Sequence, residues 1–87
     1  RSMDLAVKLT TNNIRPNTIL PGAVDTNKQK RWKKNPSAKK KLAKIIPLNR
    51  IGEPKDISNT VMFLLSDQSN YITGTEIIID GGITAKP

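Results

Sequence analysis

At 87 residues, the chain has room for one small folding unit, and its 36% hydrophobic and 25% charged residues suit an ordered segment. A chain of this length buries only about two-thirds of its unfolded surface, and its core rarely yields more than ~3–5 kcal/mol. With neither cysteine nor histidine, it lacks disulfides, thiolate metal ligands, the commonest general base and the commonest zinc ligand, and a metal site is not expected.

No apolar run approaches the ~18 residues of a membrane span, and no signal-peptide core follows Arg1. Membrane association is therefore not expected. The chain opens with Arg1-Ser2-Met3 in what reads as the middle of a helix, so a fragment of a longer protein is expected. The net charge of +8 is unevenly spread. Nine of the fifteen basic residues lie between Lys28 and Lys44, and no acidic residue stands between Asp25 and Glu53. The remainder holds six basic and seven acidic residues. This is a nearly neutral scaffold carrying one basic insert.

Along the chain, residues 3–10 hold no breaker, and Met3, Ala6, Val7 and Thr10 share a helical face. Asn12-Asn13 ends that helix, because Asn tolerates the left-handed conformation. Ile14 to Leu20 reads as a buried strand bounded by Pro21-Gly22, although Pro16 must cost it a ladder bond or delay its start. Residues 27–36 are polar and basic. Ser37 is placed to cap a short helix with Ala38, Leu42 and Ile45 on its apolar face, ending before Pro47. Pro54 suits the first turn of the next helix, whose core stripe is Ile57, Val61, Leu64 and Leu65. Thr75 to Ile79 reads as a strand, terminated by Asp80-Gly81-Gly82. Helix, strand, basic excursion, helix and strand together make half of an α/β unit with parallel strands.

Ile14 to Thr26, with its Pro-Gly-x-Val-x-Thr ending, resembles a segment of the short-chain dehydrogenases/reductases. Pro47-Leu48-Asn49-Arg50-Ile51-Gly52-Glu53-Pro54-Lys55-Asp56-Ile57 is similar to a second segment of that family. Phe63 to Asp67, Tyr71 to Gly74, and Asp80-Gly81-Gly82 follow in the family's order. Each piece alone is weak; together, in register over about 70 residues, they are specific. The stretch from Arg31-Trp32 to Leu48 looks most like the L-xylulose reductase/carbonyl reductase branch.

The resemblance implies a Rossmann-like, doubly wound parallel sheet, of which residues 1–87 are the C-terminal part of one dinucleotide-binding domain. It implies an oxidoreductase moving hydride between NAD(P), with NADP placed first, and a carbonyl or secondary alcohol. The family's glycine-rich phosphate turn is not in these residues, whose first glycine is Gly22. Nor is its Tyr-x-x-x-Lys pair, since the one tyrosine, Tyr71, is followed four residues later by Thr75. No catalytic residue is therefore assigned. Both features would lie upstream, and these residues alone should be inactive.

What remains is one wall of the cofactor site, because ligands in open α/β sheets sit beyond the carboxyl ends of the strands. By resemblance, Val24 offers its N–H and C=O to the nicotinamide carboxamide, which needs one acceptor and one donor. Pro21 and Gly22 pack the turn against the ring, and Thr26 donates its hydroxyl to the carboxamide or pyrophosphate. The plainer account is that Pro-Gly makes a turn and Thr26 satisfies local backbone. Residues 27–46 match the family's substrate lid, with Trp32 a candidate pocket wall. The lysines are a solvated face or attract an anionic substrate or cofactor phosphate. Nucleic acid is not expected as a partner, because Trp32 alone interleaves with the charges. Asp80-Gly81-Gly82 is read as structural and Asn17 as a hydrogen-bonding bracket.

The expected partners are a small carbonyl or alcohol substrate and further copies of the chain, as a homodimer or homotetramer; the expected location is the cytoplasm. Two other functions remain open. One is an acyl-thioester ketoreductase of fatty-acid synthesis. The other is a catalytically dead interface or basic-binding module.

Overall fold

The computed structural model describes residues 2–25 and 34–85. They form helix α1 (Ser2–Thr10), strand β1 (Thr18–Pro21), helix α2 (Pro36–Ile45), helix α3 (Pro54–Leu65), a 3-10 turn (Asp67–Ser69) and strand β2 (Glu76–Ile79). The two strands pair in parallel, with Thr18 opposite Glu76 and Pro21 opposite Ile79. Parallel strands require a crossover, and α2 and α3 lie in it. The order and the parallel pairing agree with the α/β expectation.

The first strand starts later than its apolar run suggests. Pro16 has no N–H to give, but its C=O accepts from Gly74 N–H at 2.8 Å. Ladder pairing begins only at Thr18, whose N–H donates to Thr75 C=O at 2.9 Å. In between, side chains replace the ladder. Asn17 donates Nδ2 to Ile72 C=O at 3.3 Å and accepts Thr75 N–H on Oδ1 at 3.0 Å. It is the bracket that the sequence suggested, and it pairs the residue at which β2 was expected to begin. Arg15 Nη1 reaches the C=O groups of Ser69 and Ile72 at 2.8 and 3.3 Å. Ser69, 1% exposed, completes the corner by donating to Leu64 C=O.

Asn13, at φ 64°, ends α1 in the left-handed region as anticipated. Helix α2 is capped two residues earlier than expected. Asn35, not Ser37, is its N-cap, because Pro36 with its fixed φ and missing N–H suits the first helical position. Ser37 Oγ instead donates to Asn35 Oδ1 at 3.0 Å. Of its expected apolar face, Ala38 and Leu42 are half-buried, Ile45 is exposed, and the buried residue is Ile46, just past the helix.

The α3 stripe is only half covered. Ile57 and Leu64 are half-buried, whereas Leu65 is 76% exposed and faces no core. Among the described residues, the buried apolar ones are few, namely Ala6, Ile46 and Ile51. The radius of gyration is 16.0 Å, against about 12 Å for a compact domain of this length. Among the described residues, no further layer covers these apolar faces.

Candidate functional site

Strand β1 ends where the sequence reading placed the cofactor wall. Pro21 is the last paired residue, and Gly22 N–H still donates to Ile79 C=O at 2.9 Å. A Cβ on Gly22 would stand 2.6 Å from Asp80 Cβ, so only glycine lets the two strand ends approach this closely.

Beyond Gly22 the chain changes partner. Gly52 N–H donates to Ala23 C=O at 2.9 Å, and Asp25 N–H donates to Gly52 C=O at 2.7 Å. Val24 therefore lies opposite Gly52 in a parallel bridge. In such a bridge the bonds come from the residues flanking Val24, and its own N–H and C=O turn to the other side. Neither meets a partner among the described residues. An adjacent donor and acceptor held rigid at a strand's carboxyl end suit a carboxamide, so the backbone present fits the nicotinamide end of a dinucleotide.

Gly52 is itself held from both sides. Arg50 makes a two-pronged ion pair with Asp56, Nη1 to Oδ2 at 2.8 Å and Nη2 to Oδ1 at 3.1 Å. Asp56 Oδ2 also accepts Glu53 N–H at 2.7 Å, capping the first turn of α3. The Arg50 hydrogen bonds, followed by that from Glu53 N–H, hold the Asp56 carboxyl down at about 2, against the smaller opposing effect of burial. The same contact raises the Arg50 pKa. A cleft of about 170 Å³ lies beside this pair, walled by Val24, Ile46, Gly52, Ile57 and Asp80.

The Asp80 turn closes the far side. Asp80 accepts from the Thr84 hydroxyl, from Gly82 N–H at 2.9 Å and from Thr84 N–H at 3.0 Å, and these bonds lower its pKa. Gly81 and Gly82 have φ of 67° and 97°, and Gly81 C=O accepts Leu48 N–H at 3.1 Å. Asp80-Gly81-Gly82 thus forms a hydrogen-bonded turn at the end of β2, where the sequence reading expected the strand to terminate.

The structure thus brings Pro21, Gly22 and Val24 to one edge. Thr26 and Trp32 lie outside the described residues. Of residues 27–46, expected to be a lid, the structure describes those from 34 onward, where Lys39 Nζ reaches Asp25 Oδ2 at 2.5 Å and ties α2 to the residue after Val24. Sequence reasoning quoted Arg50, Gly52 and Asp56 as a motif and gave them no task. A carboxylate in the third position of a helix opened by Pro54 was the available signal. Among the described residues no cluster of three or more acidic or other ligating side chains could hold a metal ion, and no helix is long and apolar enough to cross a membrane.

Residues 2–84 match the family described as Enoyl-(Acyl carrier protein) reductase. L-rhamnose-1-dehydrogenase of Scheffersomyces stipitis is 44% identical over 70 residues, covering 80% of this chain and 27% of that protein. A short-chain dehydrogenase family protein from Francisella tularensis superposes with a TM-score of 0.86 at 41% identity, over 98% of this chain and 39% of its own. A 4-hydroxyisoleucine dehydrogenase complexed with NADH gives a TM-score of 0.87 at 32% identity, over 99% and 35%. The chain therefore spans between a quarter and two-fifths of the length of these relatives.

Proposed function

The chain belongs to the short-chain dehydrogenase/reductase family, and on that premise we propose that it forms the C-terminal wall of the nicotinamide site in an NAD(P)-dependent oxidoreductase. The substrate is a small carbonyl compound or secondary alcohol. The cofactor, when bound, supplies or takes up the hydride. The observation that carries the reading is Val24, whose N–H and C=O lack partners among the described residues because Gly52 bonds to its neighbours instead.

Val24 holds the carboxamide, and Pro21 and Gly22 form the turn beneath it. Thr26 and Trp32 take the roles the family resemblance implies, a hydroxyl donor and a pocket wall. Residues 27–46 are the lid, and the chain is the C-terminal part of a single dinucleotide-binding domain. NADP is placed ahead of NAD, although the residue that discriminates them in this family belongs to the first βα turn, outside these 87 residues. An acyl-thioester ketoreductase is the second reading, supported by 40% identity over 82 residues to a 3-oxoacyl-[acyl-carrier-protein] reductase of Chlamydia trachomatis, of which the chain covers 32%. The L-xylulose reductase/carbonyl reductase branch is the reading of the lid sequence.

Replacing Val24 by Pro removes the one N–H at issue and leaves both Gly52 bonds in place. In the full polypeptide as its gene encodes it, Val24→Pro should weaken NAD(P)H binding by about tenfold, the loss of one hydrogen bond with its partner left unsatisfied. The 87-residue chain alone should reduce no carbonyl compound with either cofactor. Unchanged binding in the variant, or turnover by the purified 87-residue chain, overturns the proposal.

A further inference from the structure

We propose that Arg50 and Asp56 are positioning residues for the cofactor wall, acting through Gly52 on the direction in which Val24 presents its N–H and C=O. This rests on the reading of Val24 given above. One carboxylate gathers donors from both sides of Gly52, since Asp56 takes the guanidinium of Arg50, two residues before it, and the N–H of Glu53, one residue after it. The turn between is thereby closed into a loop with Gly52 at its apex and Ile51, 6% exposed, anchored inward. Gly52 then fixes Ala23 and Asp25, at 2.9 and 2.7 Å, and so decides which way the peptide groups of Val24 face. The apex has little slack, for a Cβ on Gly52 would stand 3.3 Å from Ala23 C=O and 3.7 Å from Asp56 Oδ2.

Stability alone is a poor account of this pair. The Arg50 side chain is 53% exposed, and ion pairs so open to water contribute little to folding. A forked guanidinium gripping both carboxylate oxygens does fix orientation, which a lysine in its place cannot do.

The test compares two ligands on the same samples of the full polypeptide. One is NAD(P)H, and the other is its analogue in which an acetyl group replaces the carboxamide. The acetyl group keeps the oxygen that accepts from Val24 N–H and loses the amino group that donates to Val24 C=O. The unsubstituted protein should bind the natural cofactor about 3- to 10-fold more tightly, the worth of one hydrogen bond. Arg50→Lys, which loses the fork, and Asp56→Asn, which keeps an acceptor for Glu53 N–H, should bring that ratio close to one. A ratio taken within one sample does not depend on how much of the protein is folded. If Arg50→Lys binds neither ligand, Asp56→Asn decides. A ratio of one in the unsubstituted protein defeats the Val24 reading, and this inference with it. A full ratio there, retained in the variants, leaves Val24 in place and reduces Arg50–Asp56 to a helix cap.

Discussion

Gly22 and Asp80 stand closer than any side chain at position 22 would permit, since an added Cβ would lie 2.6 Å from Asp80 Cβ and 2.9 Å from Asp80 Cα. The obstacle is largely backbone, so it cannot swing aside as a flexible side chain would. Gly22→Ala must push β1 and β2 apart at the end that carries the site.

The expected loss for Gly22→Ala is about 1–3 kcal/mol, typical of overpacking. It is to be read as a lower urea midpoint with unchanged slope in the full polypeptide. An unaltered midpoint would mean that the strand ends separate freely and that the 2.9 Å bond from Gly22 N–H to Ile79 C=O is dispensable.

Stability should fall in acid through Asp56, by a small amount because the Arg50 side of the pair is open to water. Its carboxyl is held at about 2 by Arg50 and Glu53 N–H, below the roughly 3.9 of an unfolded chain. A group with a depressed folded pKa stabilises above its unfolded value and loses that contribution as pH drops through the folded one. The loss should therefore run from about pH 4 to about pH 2. Asp80, also lowered, has the same sign. Denaturation midpoints across that window should fall less steeply for Asp56→Asn; parallel curves would show that the ion pair is not linked to folding.

The outer face of β2 offers a route to assembly. Ile78 is 51% exposed, and Met62 and Leu65 on α3 are more exposed still. We expect this helix and strand to meet a second copy in a dimer or tetramer. Ile78→Lys in the full polypeptide should move it toward smaller species in sizing with light scattering. A folded variant of unchanged mass excludes β2 from the interface.

Much of the architecture was legible because it rests on local rules. Pro54 marked the start of α3, Asn13 marked the end of α1, and the β-branched run 77–79 marked β2. The boundaries that slipped did so where side chains took over backbone duties. Asn17 pairs Thr75 N–H, so both strands start later than their apolar runs suggest. The corner of Arg15, Ser69 and Ile72 joins residues more than fifty positions apart, a distance over which periodicity says nothing. Pro21, Gly22 and Val24 could be singled out only through a family pattern, since their chemistry lies in peptide groups. The part played by Gly52 was hidden for a similar reason. It depends on which carbonyl a glycine meets, and no composition signals that.

The chain leaves the sheet at Asp25 and is tied back beside it at Leu48, and both points are tethered to elements outside the excursion. Asp25 N–H is held by Gly52, and Leu48 N–H by Gly81. Lengthening a loop whose ends are already fixed costs only slowly rising entropy. The segment between can therefore drift in length and side chains over generations while Val24 keeps its place. On the proposed reading of Val24 and of residues 27–46, substrate range and cofactor grip become separately heritable traits of one short stretch of polypeptide.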